Sequence, residues 1–168
     1  MPPENRLPAM TEGEARALAA VAAAGLPYAV TRHGPVRSLA EAAAARGVSP
    51  ADIIKTLVIR RADDDFVFVL VPGDREISWP KLRAHLGVNR LSMPDAETAR
   101  IATGYERGTI TPFGSTRAWP VVADATVTGR AISMGAGAHG VAVTVDADAM
   151  VAALGARRAD VTDPIVGR

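Results

Sequence analysis

The alternation of apolar and polar positions divides the chain into short helices and strands, most with a recognisable start or stop. Thr11 and Glu14 stand at capping-box spacing ahead of ARALAAVAAAG, which predicts a first helix from about Glu12 to Ala24, stopped by Gly25. LPYAVTRH reads as a short strand. Ser38 and Glu41 repeat the box before AAAARG, giving a second helix closed by Gly47, and a third element begins near Ser49-Pro50. IIKTLVIR is rich in β-branched residues and too short for a typical helix. With FVFVLVP across the acidic turn ADDD it predicts a β-hairpin. Ser78 caps a helix through WPKLRAHL that stops at Gly87, and Pro94-Asp95 opens another, AETARIA, which ends before Gly104. The segment GYERGTITPFG is loop-like. Short apolar stretches follow at Trp119–Val122, Ala131–Met134 and Val141–Val145, with the glycine-rich turn GAGAHG between the last two. Asp146 caps a final helix, ADAMVAALG, and the tail VTDPIVGR is expected to fray.

Helices and strands alternate irregularly, and several strand pairs are close in sequence. That favours an α+β fold with a mixed sheet over a doubly wound parallel one. The 168 residues suit one domain with one core, and no repeat, linker or low-complexity tract divides them, so 1–168 is read as a single domain. No apolar run approaches the roughly 18 residues that would span a bilayer. MPPENRLPAM lacks the apolar core of a secretory leader. Cysteine is absent, which removes disulfides and thiolate metal sites. The plain expectation is a cytoplasmic protein without a membrane or DNA partner.

A formal net charge of +1 is too balanced to predict nucleic-acid binding from bulk electrostatics. Any RNA contact has to be local. Arg32, Arg37, Arg60, Arg61, Arg83, Arg90, Arg107 and Arg117 could form a basic patch if they converge. Only Lys55 and Lys81 among the 19 basic residues are lysines, which makes each lysine more informative.

Lys55 is the first candidate for chemistry. In a strand it shares a face with Ile53, Leu57 and Ile59, while Ile54, Thr56 and Val58 face the other way. Neither face looks solvated, and burying an unpaired ammonium costs several kcal/mol. Such a lysine can contact an anion, polarise an ester or act as a base. The bland alternative is a stem that snorkels to the surface at a strand end. GYERGTITPFG is the second candidate. Gly104, Gly108 and Gly114 permit backbone conformations closed to other residues, and Pro112 stiffens the loop. Its N–H groups could meet a phosphate or carbonyl oxygen, and Tyr105 or Phe113 could stack on a base. The competing reading is an ordinary connection with one aromatic plugging the core.

GAGAHG is the third. Gly135, Gly137 and Gly140 match the spacing of a dinucleotide fingerprint, but a strand follows where that motif needs a helix N-terminus, so the reading is rejected. A glycine turn against a ligand, with His139 at its tip, stays open. The three histidines, His33, His85 and His139, show no metal-ligand spacing, and there is no GxSxG elbow or P-loop. No metal or cofactor is expected. An enzyme built from this sequence would carry neither a conventional triad nor a metal.

Taken in order, IIKTLVIR with its Lys55-Thr56 pair, GYERGTITPFG, SMGAGAHG and the closing LGARRADVTD resemble the YbaK / prolyl-tRNA synthetase editing-domain family, over roughly Leu26 to Asp163. The resemblance implies a mixed, strongly bent, barrel-like sheet with flanking helices. It also implies hydrolysis of mischarged aminoacyl-tRNA, often cysteine or alanine on tRNA(Pro). Lys55 matches the family's essential lysine, expected to hold the 3′-terminal adenosine or its phosphate and to orient the ester. Gly108 opens the family's GxxxP turn, with Thr111, Pro112, Phe113 and Gly114 following, expected near the reacting carbonyl. Ser133, Gly135, Gly137 and Gly140 match the second glycine turn. Met134 and Ala138-His139 depart from the glycine and basic residues of better-known members, which bears on amino-acid specificity. Tyr28, Thr31, Met134 and His139 are expected wall residues.

The resemblance implies an aminoacyl-tRNA acceptor end as partner, and a synthetase as a second one. Two rival readings remain: a tRNA- or synthetase-binding module of the same fold without turnover, and a hydrolase of another small ester.

Overall fold

A computed structural model describes residues 10–166. The segment read for a secretory leader therefore lies almost wholly outside the described residues, as does the end of the tail.

The helices begin where the caps predict. Thr11, Ser38, Ser78, Asp95 and Asp146 each accept a backbone N–H three residues on, opening α1 (Glu12–Ala23), α2 (Leu39–Arg46), α3 (Trp79–Leu86), α4 (Ala96–Thr103) and α5 (Ala147–Ala153). The capping box at Thr11 is half formed. Its Glu14 carboxylate is buried and turns to Arg32 instead of back to the cap. The element at Ser49-Pro50 is one 3-10 turn, Pro50–Asp52.

The strands are β1 (Ala29–Arg32), β2 (Ile53–Ala62), β3 (Asp65–Pro72), β4 (Arg75–Ile77), β5 (Val121–Asp124), β6 (Ala131–Gly135), β7 (Val141–Asp146), β8 (Arg157–Ala159) and β9 (Thr162–Pro164). Seven form one mixed sheet in the order β1-β7-β6-β2-β3-β5-β8, with β1 and β8 outermost, while β4 and β9 make a separate two-stranded ribbon. The α+β architecture, mixed sheet and flanking helices are as the sequence implies. The predicted hairpin is β2–β3, turning at Asp63-Asp64 with Asp64 at φ 53°.

Central β3 is buried on both sides. Phe66, Phe68 and Leu70 face the larger core, which takes Leu18 and Val21 of α1, Ala99 and Ala102 of α4, and Met150 of α5. Val67, Val69 and Val71 face a second core with Ile59 of β2, Leu82 of α3 and Val161. At about 1.5–3 kcal/mol per buried apolar side chain, an upper figure, this strand anchors both layers.

The expectation of a frayed tail is corrected. Val161 and Thr162 are fully buried, and β9 pairs with β4. Three residues ending in proline carry no period-2 signal, so nothing local announces this strand.

Candidate active site

A gap in one edge of β2 creates the site. β6 runs parallel to β2 for only two pairs, Ile53↔Ser133 and Ile54↔Met134. Farther along, the same strand is met again at Arg60, which exchanges hydrogen bonds with Ser92. Between these points no strand pairs with this edge among the described residues, and a cleft of about 600 Å³ opens along residues 53–58. Its other walls are Met93 to Ala96 and Ala99 at the start of α4, the segment Arg107, Gly108 and Ile110, Gly135 at the end of β6, and Arg46 at the end of α2. Lys55, Gly108 and Gly135, each singled out in a different part of the sequence, thus share one cleft.

Lys55 is half-buried, and its Nζ donates to the Arg75 carbonyl at 3.0 Å. Thr56 also lines the cleft, and its Oγ1 is buried without a hydrogen-bond partner among the described residues. Arg46, which the sequence did not single out, projects from α2 to donate to Ser133 Oγ at 3.4 Å. Burial holds its pKa below the usual arginine value. Among the described residues Asp95 brings the one lining carboxylate, beside three lining cations, and it is committed to capping α4 through Thr98 N at 2.8 Å. That hydrogen bond lowers the Asp95 pKa.

The 104–114 loop is held as a rigid frame. Arg16 of α1 reaches both ends, donating to Gly114 O at 2.6 Å and Gly104 O at 2.9 Å, with its guanidinium 4.5 Å above the Tyr105 ring. Tyr105 fills the inside and donates its hydroxyl to Phe113 O at 2.6 Å. Burial raises the pKa of this phenol and Arg16 opposes that. The two glycine turns are joined directly, Gly137 N donating to Thr109 O at 3.0 Å. Within the turn Thr109 N is committed to Glu106 O at 3.0 Å. A donor for a ligand oxygen is therefore to be sought at Gly108 or Ile110, both on the cleft wall.

Several expected site residues lie elsewhere. Tyr105 and Phe113 are buried and offer no face to a base. Gly104 is the left-handed cap of α4, and Gly114 packs on the Arg16 backbone. Thr111 is buried and its Oγ1 accepts Phe113 N, while Pro112 is half-buried beside it. None of these lines the cleft. Met134 is fully buried in the larger core, because its place in β6 points it away from the gap. Ser133 is buried and reaches the cleft only through Arg46. Tyr28 lines a separate shallow pocket of about 350 Å³ with Leu26, Thr144 and Ala149. Thr31 pairs with Ala142 in the outermost strand. Gly137 and Gly140 bring backbones together, against Gly13 and His33. His139 is exposed, with Nε2 at 3.5 Å from Glu106 and its ring beside Gly108.

Four of the eight arginines are paired with carboxylates. Arg60, Arg61 and Arg117 pair with Asp63, Asp65 and Asp64 at the hairpin tip, and Arg32 with Glu14. Of the eight, Arg107 alone lines the cleft. No group of three or more His, Asp or Glu side chains suited to a metal occurs among the described residues.

A profile of the aminoacyl-tRNA editing domain matches residues 33–153, most of the chain. The chain is a member of that family, the YbaK / prolyl-tRNA synthetase editing-domain group. It is 37% identical over 93 residues to the proline--tRNA ligase of Bacillus licheniformis, a match spanning 55% of this chain and 16% of that protein. With the ligase of Heliobacterium modesticaldum it shares 46% over 67 residues, 40% of this chain and 12% of that one. The chain thus corresponds to a small part of these relatives. Among solved structures, the hypothetical protein APE2540 superposes with a TM-score of 0.80 at 27% identity, covering 88% of this chain and 99% of that one. A proposed trans-editing enzyme for prolyl tRNA synthetase gives 0.83 at 23%, covering 92% and 99%.

Proposed function

We propose that this protein removes misattached amino acids from transfer RNA, acting in trans as an aminoacyl-ester hydrolase on small acyl groups such as cysteine or alanine. The acceptor is tRNA(Pro) or another tRNA. The observation that carries this reading is the single cleft shared by Lys55, the Gly108 turn and Gly135. Family membership and the likeness to a proposed trans-editing enzyme support the reaction class. The cleft's size lies within the roughly 300–1,000 Å³ usual for small-molecule sites. Lys55, Arg46 and Arg107 give it a positive lining that suits the phosphates of an acceptor end, although the chain as a whole is nearly neutral.

An aminoacyl ester is already activated, so positioning and oxyanion stabilisation can supply the catalysis. Lys55 anchors the terminal adenosine or its phosphate and orients the ester. The N–H of Gly108 or Ile110 faces the carbonyl oxygen. A water oxygen, placed with the help of the ribose 2′-hydroxyl, bonds to the carbonyl carbon. The ester C–O bond then breaks, and the ribose 3′-oxygen leaves with the proton that the water gives up. A synthetase is the natural second partner, and the cytoplasm the natural compartment.

The test is a panel of tRNAs mischarged with Ala, Cys, Ser and Thr, offered to wild type, Lys55→Ala and Lys55→Arg. One or a few substrates should be hydrolysed, with a loss on the order of 10²-fold or more in Lys55→Ala. Wild-type rates in both variants would sink the assignment. Binding of tRNA by folded protein without hydrolysis would make the domain a binding module.

A further inference from the structure

Thr162 stands between a carboxylate and a guanidinium, fully buried in β9. Its hydroxyl donates to Asp124 Oδ1 at 2.8 Å and accepts from Arg75 Nε at 2.6 Å. Arg75 Nη2 also donates to the Thr162 carbonyl at 3.3 Å, and Asp124 Oδ2 lies 3.8 Å from Arg75 Nε. Asp124 takes further N–H groups from Thr126 at 3.1 Å and Val161 at 3.2 Å. Lys81 holds the same strand from α3, donating to Thr162 O and Asp160 at 3.1 Å and to Asp163 at 2.9 Å. One hydroxyl therefore ties together β4, β5 and β9.

This lock determines where one carbonyl points. In an antiparallel ladder, hydrogen-bonded and non-bonded pairs alternate. Ile165 N donates to Asp74 O at 3.1 Å and Ser78 N to Val161 O at 2.9 Å, which makes Glu76↔Asp163 the bonded pair between them. Arg75, opposite Pro164, falls on a non-bonded pair, so its C=O turns away from β9. Pro164 has no N–H to offer there, and the ribbon loses nothing by having proline at that position. The carbonyl freed in this way accepts Lys55 Nζ at 3.0 Å, one contact of that ammonium among others. A slip of one residue in which β4 rotates to restore pairing would turn the Arg75 carbonyl into β9 and away from the lysine.

We propose that Thr162, with Asp124 and Arg75, is the positioning element for Lys55, fixing the ribbon register so that the Arg75 carbonyl holds the ammonium at the cleft. None of the three lines the cleft, so they act through the lysine. The inference rests on the reading of Lys55 as the functional lysine, and its test can fail separately from that reading.

The chain has only two lysines, so protein labelled with ¹³C,¹⁵N-lysine gives two sets of side-chain signals, assigned with Lys55→Arg. Thr162→Val removes the hydroxyl at nearly constant shape. Arg75→Met, at a partly exposed position, is the second variant should the valine protein not fold. In either one the Lys55 Cε–Hε signal should move in the free protein. The kcat/KM for the hydrolysed tRNA should fall at least about tenfold, and Thr162→Ser should restore both signal and rate. A merely structural role would lower Tm and leave the Lys55 signal where it was. An unmoved Lys55 signal in a folded variant overturns the proposal, whatever the activity, and so does a moved signal with unchanged kcat/KM. Failure of wild type to hydrolyse any substrate would remove the editing reading, while the Lys55 signal would still test the positioning.

Discussion

Gly108 and Gly137 both have positive φ, 88° and 84°, yet alanine at the two positions should have different consequences. At Gly108 a Cβ would stand 3.5 Å from the nearest atom, His139 Cε1, an ordinary contact. The cost is conformational, about 1–2 kcal/mol for a side chain in left-handed backbone. That corresponds to a Tm fall of roughly 2–8 °C for a chain of this size. In the proposed mechanism this turn faces the reacting carbonyl, relief of the strain would rotate it, and a displacement near 1 Å at such a site can cost on the order of 10²-fold in rate. At Gly137 a Cβ would run into the Gly13 carbonyl and stand 2.9 Å from Tyr105 Cε1. Backbone cannot swing aside, so overpacking adds to the conformational cost, together roughly 2–5 kcal/mol. The Tm fall is then on the order of 4–20 °C. Thermal melts and kcat/KM on the best substrate of the tRNA panel, side by side, separate the two. Gly108→Ala with undiminished kcat/KM and a slightly lowered Tm would refute the oxyanion role of the turn and leave it a mere connection.

Tyr105→Phe removes the hydroxyl that satisfies the Phe113 carbonyl inside the loop. A buried carbonyl left unpaired costs about 1–3 kcal/mol, and urea unfolding should show that loss with an unchanged m-value. Asp124 gives a signed pH dependence. Burial alone would raise its pKa, but hydrogen bonds from Thr126, Thr162 and Val161 outweigh it and hold the carboxyl below the ordinary aspartate value. A depressed folded-state pKa contributes stability that is present above the unfolded value, about 3.9, and is lost as pH falls through the folded value. Asp124→Asn should therefore be less stable at pH 7 and lose less stability than wild type below about pH 4. Parallel acid limbs for the two proteins would show that this carboxylate does not contribute to acid lability.

How much of this could be read from the sequence depends on whether the signal was local. The five caps at Thr11, Ser38, Ser78, Asp95 and Asp146 each act within three residues, and all five helices start where they predict. The β2–β3 hairpin, with a two-residue turn, was visible for the same reason. β4 and β9 were not, because their pairing joins residues 87 apart and rests on a hydroxyl, a carboxylate and a guanidinium from three strands. Nothing local in β6 says which of its faces adjoins a gap in the sheet, and so Met134 was expected as a wall residue and is in the core. Tyr28 went astray likewise, next to a shallower hollow.

Within the site the same division holds. Lys55 stood out because a charge in an apolar strand demands a reason and because the chain has one other lysine. Arg46 was hidden among many arginines at an unremarkable helix end, though burial gives it as much claim to a role in the cleft. The partner that holds Lys55 could not have been found from residue types at all. It is a backbone carbonyl, which every residue has, and what singles out Arg75 is the register of its strand. A search for site residues by side-chain chemistry finds groups that contact substrate and overlooks groups whose contribution is to aim a carbonyl. Here one of the latter, Thr162, lies in a segment that the sequence suggested was frayed, so on the positioning proposed above removing the tail to make a smaller domain would take away part of the support of Lys55.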